Sequence, residues 1–335
     1  MNPLPRKDEY ETLETLFENV DSSFAEGLVR GCFHTCGPGR PPRKPLGLFR
    51  AFIVMRMKSV RSLREMSRLL NVDPRLRKLC LIKEGEKGYP RSVLSRFTKR
   101  VGVERLESII EEKVVSLLRR NKAEEIDAVL DASFIKAWSI RHPRDSRKGY
   151  SDGEARVGRT GRTYSLGYKL HLSADFERML PLASIVAPAN QNEKKHCHTL
   201  LEKTRQVLRK AGAKLGSIIA DSQYSSEKIR KAADEAVIPY PENQKRGVKG
   251  LLRVDKKFRT HGPEDQKRKY HKRPAIESAF SFLRTQYSLT INKVRGLKKV
   301  TTYALYSILS HILTREAAEN IGRPDKAVSP TYFNT

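Results

Sequence analysis

The chain has 335 residues, enough for two or three domains, one of which can build a full mixed α/β core. Its 66 lysines and arginines against 38 acids leave a formal net charge of +28, which selects a polyanionic partner: DNA, RNA or an anionic membrane surface. No apolar run reaches the roughly 18 residues of a spanning helix, so the membrane choice lacks an anchor. The first residues show no basic-then-apolar signal pattern, which predicts a cytoplasmic protein. Four cysteines make no disulfide framework. Cys32, His34 and Cys36 form one tight cluster and His196, Cys197 and His198 another, but neither has the paired spacing of a structural zinc site. Reduced thiols and ordinary imidazoles are the expectation.

In chain order, an acidic amphipathic helix is predicted from Asp8 to Val20, followed by a Gly- and Pro-rich loop at Gly37–Pro45. Helical periodicity resumes after Pro45 and is interrupted near Lys58–Ser59. Ser62 with Glu65 three residues later is a capping box, and Asn71 to Pro74 stops the helix it opens. One helix follows Pro90, and a long one runs from Val103 to about Arg120. Short basic helices with turns between them suit either a helix-turn-helix-like DNA reader or a bundle with a solvated basic face.

From Ile126 the pattern changes. The stretch AVLDASFIKA alternates like a strand, Ser139–Arg162 is composed like a loop, and YSLGYKLHLSAD and PLASIVAPAN make two strands joined by a turn. A helix over about Glu193–Ala211, the strand SIIADSQY, a helix through SSEKIRKAADEA capped by Ser225 or Ser226, and a strand at VIPYPEN complete an α/β pattern. Gln244–Lys272 is strongly basic and poor in apolar residues, the composition of a mobile phosphate-contacting loop. Pro274 then opens a helix on which Ile276, Phe280, Leu283 and Tyr287 form one apolar stripe, and a last apolar helix covers about Val300–Glu316. The expected organisation is an acidic helix and loop over 1–40, a helical and DNA-end-binding domain over 41–122, a mixed α/β domain over 123–318 with a basic insertion at about 244–272, and a disordered tail over 319–335.

Three acids stand out. Asp131 lies in a strand among Val129, Leu130 and Phe134, and Asp221 ends the strand Ser217–Ala220, where ligands of open α/β sheets gather. Glu277 lies four residues after Arg273 and seven before Arg284. Singly, each has a plainer reading: Asp127 fits the first strand too, an acid at a strand end is often a helix cap, and Glu277 suits a surface ion-pair ladder. Together they are the hard oxygen ligands that Mg²⁺ or Mn²⁺ prefers. Two such ions about 4 Å apart activate a water or 3′-hydroxyl and steady the leaving oxygen of an in-line phosphodiester attack.

The chain resembles insertion-sequence transposases of the DDE type, which have an RNase H-like catalytic domain. The segment VLDASFIKA resembles that family's first catalytic strand, IIADSQY its second, and Ser151–Leu172 the stretch between the first acid and the next strand. Tyr270, Arg273, Glu277 and Arg284 follow its tyrosine–arginine–glutamate–basic signature, with arginine where lysine is usual. Lys44–Leu79 resembles its N-terminal helical domain.

The resemblance implies a mixed sheet flanked by helices and preceded by an all-α domain. It implies that Asp131, Asp221 and Glu277 are the catalytic, metal-binding triad for two Mg²⁺ or Mn²⁺ ions. Tyr270, Arg273 and Arg284 would grip DNA phosphates, with Lys272 beside them in the same basic stretch. Trp138 would stack on an unpaired base or be an ordinary core or loop residue, and Lys169 would face the DNA groove or solvent. The activity implied is endonucleolytic cutting at inverted-repeat ends and joining to target DNA, by a homodimer or larger assembly on double-stranded DNA in the cytoplasm, associated with the nucleoid. An RNase H-like nuclease without strand transfer, or a non-catalytic DNA-binding descendant, shares part of this pattern.

Overall fold

The computed structural model describes residues 9–23, 27, 31, 43–141, 149–161, 163–244, 247–248, 250–257, 259–290 and 293–327. Cys32, His34 and Cys36, most of the Gly- and Pro-rich loop, and 328–335 of the expected tail lie outside them. Contacts divide the chain into two units: 1–110 with 282–294 and 298–335, and 111–281 with 295–297. The expected block over 123–318 is therefore divided, because most of the last helix groups with the N-terminal helices.

The first unit is helical. It holds α1 (Glu9–Glu18), α2 (Pro45–Met57), α3 (Leu63–Val72), α4 (Pro74–Leu79), the beginning of α5 (Arg91–Arg120) and most of the C-terminal helix Leu297–Asn320. Ser62 accepts the Glu65 amide at 3.2 Å, and Glu65 in turn accepts the Arg61 amide, so the capping box closes on the residue before the cap. Asp73 ends α3 and caps α4 by accepting the Leu76 amide, and Pro74 sits in the first turn of α4, where no amide is needed. The predicted break between two helices falls at Gly102, whose φ of 73° and ψ of 176° no helix accommodates. The unit's core is aromatic: Phe52 stacks on Phe97 and Tyr306 with ring centroids 5.7 and 4.8 Å away. Arg56, 1% exposed, donates to the carbonyls of Val60 and Ser288 and lies over the Tyr303 ring, and burial lowers its pKa to about 10. Among the described residues no helix is long and apolar enough to cross a membrane.

The second unit is built on a mixed six-stranded sheet. Its strands are β1 (Glu125–Lys136), β2 (Arg156–Thr160), β3 (Thr163–Asp175), β4 (Pro181–Pro188), β5 (Lys214–Ala220) and β6 (Glu235–Val237). The order is β2-β3-β1-β5-β6, with β2 on the first half of β3 and β4 on its second half. Pairing is antiparallel on the β3 side of β1 and parallel on the β5 side. Helix α6 (Glu193–Ala211) makes the crossover between β4 and β5, and packs Cys197, Leu200 and Leu201 against Leu130, Ile218 and Ala220. This mixed sheet with helices is the architecture implied by the RNase H-like resemblance.

Four expectations for this unit need correction. The stretch Ser139–Arg162 contains strand β2, hidden by its glycine and arginines, which pairs because β3 offers an open edge. The helix after Ser226 is only one turn, α7 (Glu227–Arg230), since Glu235–Val237 is drawn into the sheet as β6. Strand β6 accordingly takes only Val237 from VIPYPEN. The basic segment after Gln244 is structured: its described residues form the hairpin β7 (Arg253–Val254) and β8 (Thr260–His261), then α8 (Glu264–Tyr270). Asp255 holds that hairpin, accepting the amides of Lys257 and Arg259, and Lys269 ties α8 to Glu235 of β6. Helix α9 (Pro274–Thr285) starts where Pro274 predicts it, and Ile276, Phe280, Leu283 and Tyr287 are all buried. The last helix, α10 (Leu297–Asn320), is longer than expected, and a single 3₁₀ turn at Pro324–Lys326 follows it inside the expected tail.

Candidate active site

Parallel pairing of Leu130 with Ala220 sets the geometry. One step further on, Asp131 in mid-β1 and Asp221 at the carboxyl end of β5 occupy adjacent positions on strands about 4.8 Å apart. Asp131 is engaged locally, accepting the Ala132 amide at 2.8 Å, and its side chain is 20% exposed. Asp221 does serve as a cap: it accepts the Gln223 amide at the start of the 3₁₀ turn Ser222–Tyr224. Asp127 is separated from the site by its own bonds, since one carboxylate oxygen accepts both the amide and the hydroxyl of Ser217 on β5, where the β1–β5 register shifts.

Arg273, just before α9, joins the third acid to the first. Its guanidinium donates to Glu277 at 2.6 Å, one helical turn away, and lies 3.8 Å from Asp131. Asp221 is within electrostatic reach of both Asp131 and Arg273. Burial works to lower the Arg273 pKa, but the fields of Tyr270, Asp131, Glu277 and Asp221 outweigh it and raise it. Burial pushes the Asp131 carboxyl up to about 6, opposed by the Ala132 amide and by Arg273. Asp221 is raised as well, by burial first and then by the Glu193 carboxylate. The three predicted acids thus share one field, spread around a guanidinium. Among the described residues no three His, Cys, Asp or Glu side chains close on a single point.

The predicted DNA contacts divide. Tyr270 is half-buried beside Arg273, and burial raises its pKa. Lys272 lies over the Phe176 ring, 4.6 Å from its centroid. Arg284 is exposed on α9, about two turns beyond Glu277. Trp138 is 50% exposed in the loop after β1, and its carbonyl accepts from Arg295. Lys169 is 17% exposed and ion-paired with Glu193 at 2.8 Å, because β3 turns it toward the start of α6. Glu193 and Tyr224 were not marked by the sequence. Asn192 followed by Glu193 reads only as a helix start, and nothing local shows that α6 begins beside Asp221. The members of the His196–Cys197–His198 cluster fan out around α6, with Cys197 buried, His198 exposed and His196 bonded to Gln191.

The transposase DDE domain family matches residues 122–313, more than half of the chain, and the family described as transposase domain (DUF772) matches residues 2–100. The chain belongs to the DDE transposase family. This transposase is also similar to a piggyBac transposase solved by cryo-EM as a synaptic complex with hairpin DNA, at 11% identity over 98% of this chain and 79% of that one, with a TM-score of 0.44. No curated protein matches it. It is a DNA transposase that depends on divalent metal. The donor set fits such a metal. Asp131, Asp221 and Glu277 offer hard carboxylate oxygens, and only one guanidinium lies among the three acids.

Proposed function

We propose that Asp131, Asp221 and Glu277 are the catalytic carboxylates of this transposase, and that they hold two Mg²⁺ or Mn²⁺ ions. Bound there, such ions would supply an activated water or 3′-hydroxyl and a stabilised leaving oxygen. The observation that carries this reading is the Arg273 guanidinium shared between Asp131 and Glu277, which join the site from a strand and a helix far apart in the chain. Arg273 has two tasks. It relieves the repulsion among the acids, and it presents planar N–H donors matched to a phosphodiester. Tyr270 and Lys272 lie on the same side of it in sequence, and Arg284 extends the basic track along α9. Lys272 spreads its charge over Phe176, which keeps the ammonium near the site.

The acid-rich centre makes the cut, and the 3′-hydroxyl it frees is then aligned for attack on target DNA. Two ends must be held at once, so the working form is a dimer or larger on DNA. The helical residues over 41–122 contact the ends, and the protein acts in the cytoplasm at the nucleoid.

Asp131→Asn, Asp221→Asn and Glu277→Gln should each abolish metal-dependent cleavage of end-containing DNA while leaving DNA binding largely intact. A variant that cuts at the wild-type rate removes its residue from the set. Joining of precut ends to a plasmid target separates a transposase from a nuclease that only cuts.

A further inference from the structure

A second charged pair lies beside these acids. Lys169 of β3 sits opposite Phe134 of β1 and Ala187 of β4, and its ammonium donates to Glu193 at the start of α6. The two side chains are only 17% and 12% exposed. Desolvation at such a site cancels most of the attraction, so an ion pair there is a poor way to stabilise a fold. A carboxylate kept at that position serves something else.

The position is fixed from two sides. Asn192 caps α6 by accepting the Lys194 amide, and the Lys194 ammonium donates to the Ser225 carbonyl at 2.6 Å, four residues beyond Asp221. The first turn of α6 is thereby fastened to the 3₁₀ turn that Asp221 caps. Tyr224, in that 3₁₀ turn, is 1% exposed, and its hydroxyl has no hydrogen-bond partner among the described residues. Its ring packs against Cys197, Leu200 and Leu201 of α6. Burial raises the pKa of that hydroxyl, and the fields of Glu193, Asp131 and Asp221 raise it further. A buried hydroxyl left unsatisfied among three acids marks a place where a bound group completes the bonding.

We propose that Glu193 is a fourth carboxylate of the catalytic centre, binding a divalent ion or its water together with Asp131 and Asp221, and that Lys169 is the positioning residue that holds it there. This rests on the catalytic reading of those two aspartates. The ion pair is the resting arrangement: Lys169 shields Glu193 from its acidic neighbours, and the Tyr224 hydroxyl orients the water layer of the bound ion.

The test is Mn²⁺ binding to the full chain, read by electron paramagnetic resonance of the free ion, with melting temperature in EDTA measured alongside. Glu193→Gln should weaken Mn²⁺ binding by about tenfold or more, and Lys169→Met by less, while either variant lowers the melting temperature in EDTA because it leaves one member of the pair without its partner. A purely structural ion pair would leave Mn²⁺ affinity at the wild-type value in both variants, whatever they do to the melting temperature. If Asp131→Asn weakens binding and Glu193→Gln does not, the fourth carboxylate is overturned and the catalytic centre stands. If neither weakens it, the reading of the aspartates falls too. Should Glu193→Gln fail to fold, Glu193→Asp decides: it keeps the charge but retracts the carboxylate, so reduced affinity supports the proposal and wild-type affinity overturns it.

Discussion

Replacing Asp131 by asparagine should make the isolated protein more stable, and the size of the effect follows from its surroundings. Burial raises the carboxyl pKa from 3.8 to about 6, even with the Ala132 amide and Arg273 pulling the other way. A rise from 3.8 to about 6 means that keeping the group ionised costs the folded state about 3 kcal/mol. The cost is absent below pH 3.8, where folded and unfolded chains both carry the proton. It grows as pH rises toward about 6, because the unfolded chain ionises first, and is constant above that. Asparagine keeps the shape and the acceptor for the Ala132 amide without the charge. In EDTA at pH 8, Asp131→Asn should therefore gain up to about 3 kcal/mol, at about 2–4 °C per kcal/mol for a unit of this size. Most of that gain should vanish by pH 4.

Differential scanning calorimetry of both proteins at the two pH values, with and without Mg²⁺, measures it. Wild type should be stabilised by Mg²⁺, by about 2.7 kcal/mol at a hundred times the dissociation constant, and the variant should not. A variant that melts below wild type at pH 8 in EDTA would refute the claim that this buried acid is held against its preference.

Arg273→Ala removes the cation between Asp131 and Glu277, so the Asp131 pKa should climb above about 6 and the acid limb of the cleavage–pH profile should move upward with it. Cleavage should also fall by about tenfold or more through the lost phosphate contact, and an unchanged rate would count against that role. Gly102→Ala forces a methyl-bearing residue into φ 73°, ψ 176°, at a cost of about 1–3 kcal/mol, visible as a lower urea midpoint. Ser62→Ala deletes the cap on the Glu65 amide and should cost about 1 kcal/mol by the same measurement, with cleavage intact.

What could be read from residue order alone was mostly local, and local chemistry is what a sequence carries directly. The Ser62–Glu65 box, the stop and restart around Pro74, the break at Gly102, the extent of α6 and the buried stripe of α9 all depend on neighbours within a few residues. The acids Asp131, Asp221 and Glu277 could be named because a resemblance links them in order, but residue order could not say how they meet.

Long-range pairing decided that. Leu130 beside Ala220 aligns two aspartates 90 positions apart, and Asp127 is withdrawn by Ser217, across a register shift that no periodicity betrays. Strand β2 forms only because β3 offers an edge, and the basic segment is held by its own Asp255 and, across to β6, by Glu235. Residue order leaves Lys169 a DNA groove or solvent to face, and the sheet brings it against the first turn of α6. A side chain's own chemistry is written in the chain, whereas its partner is fixed only when distant segments close. At a site made of charges, the partner determines whether a group is a cap, a clamp or a ligand.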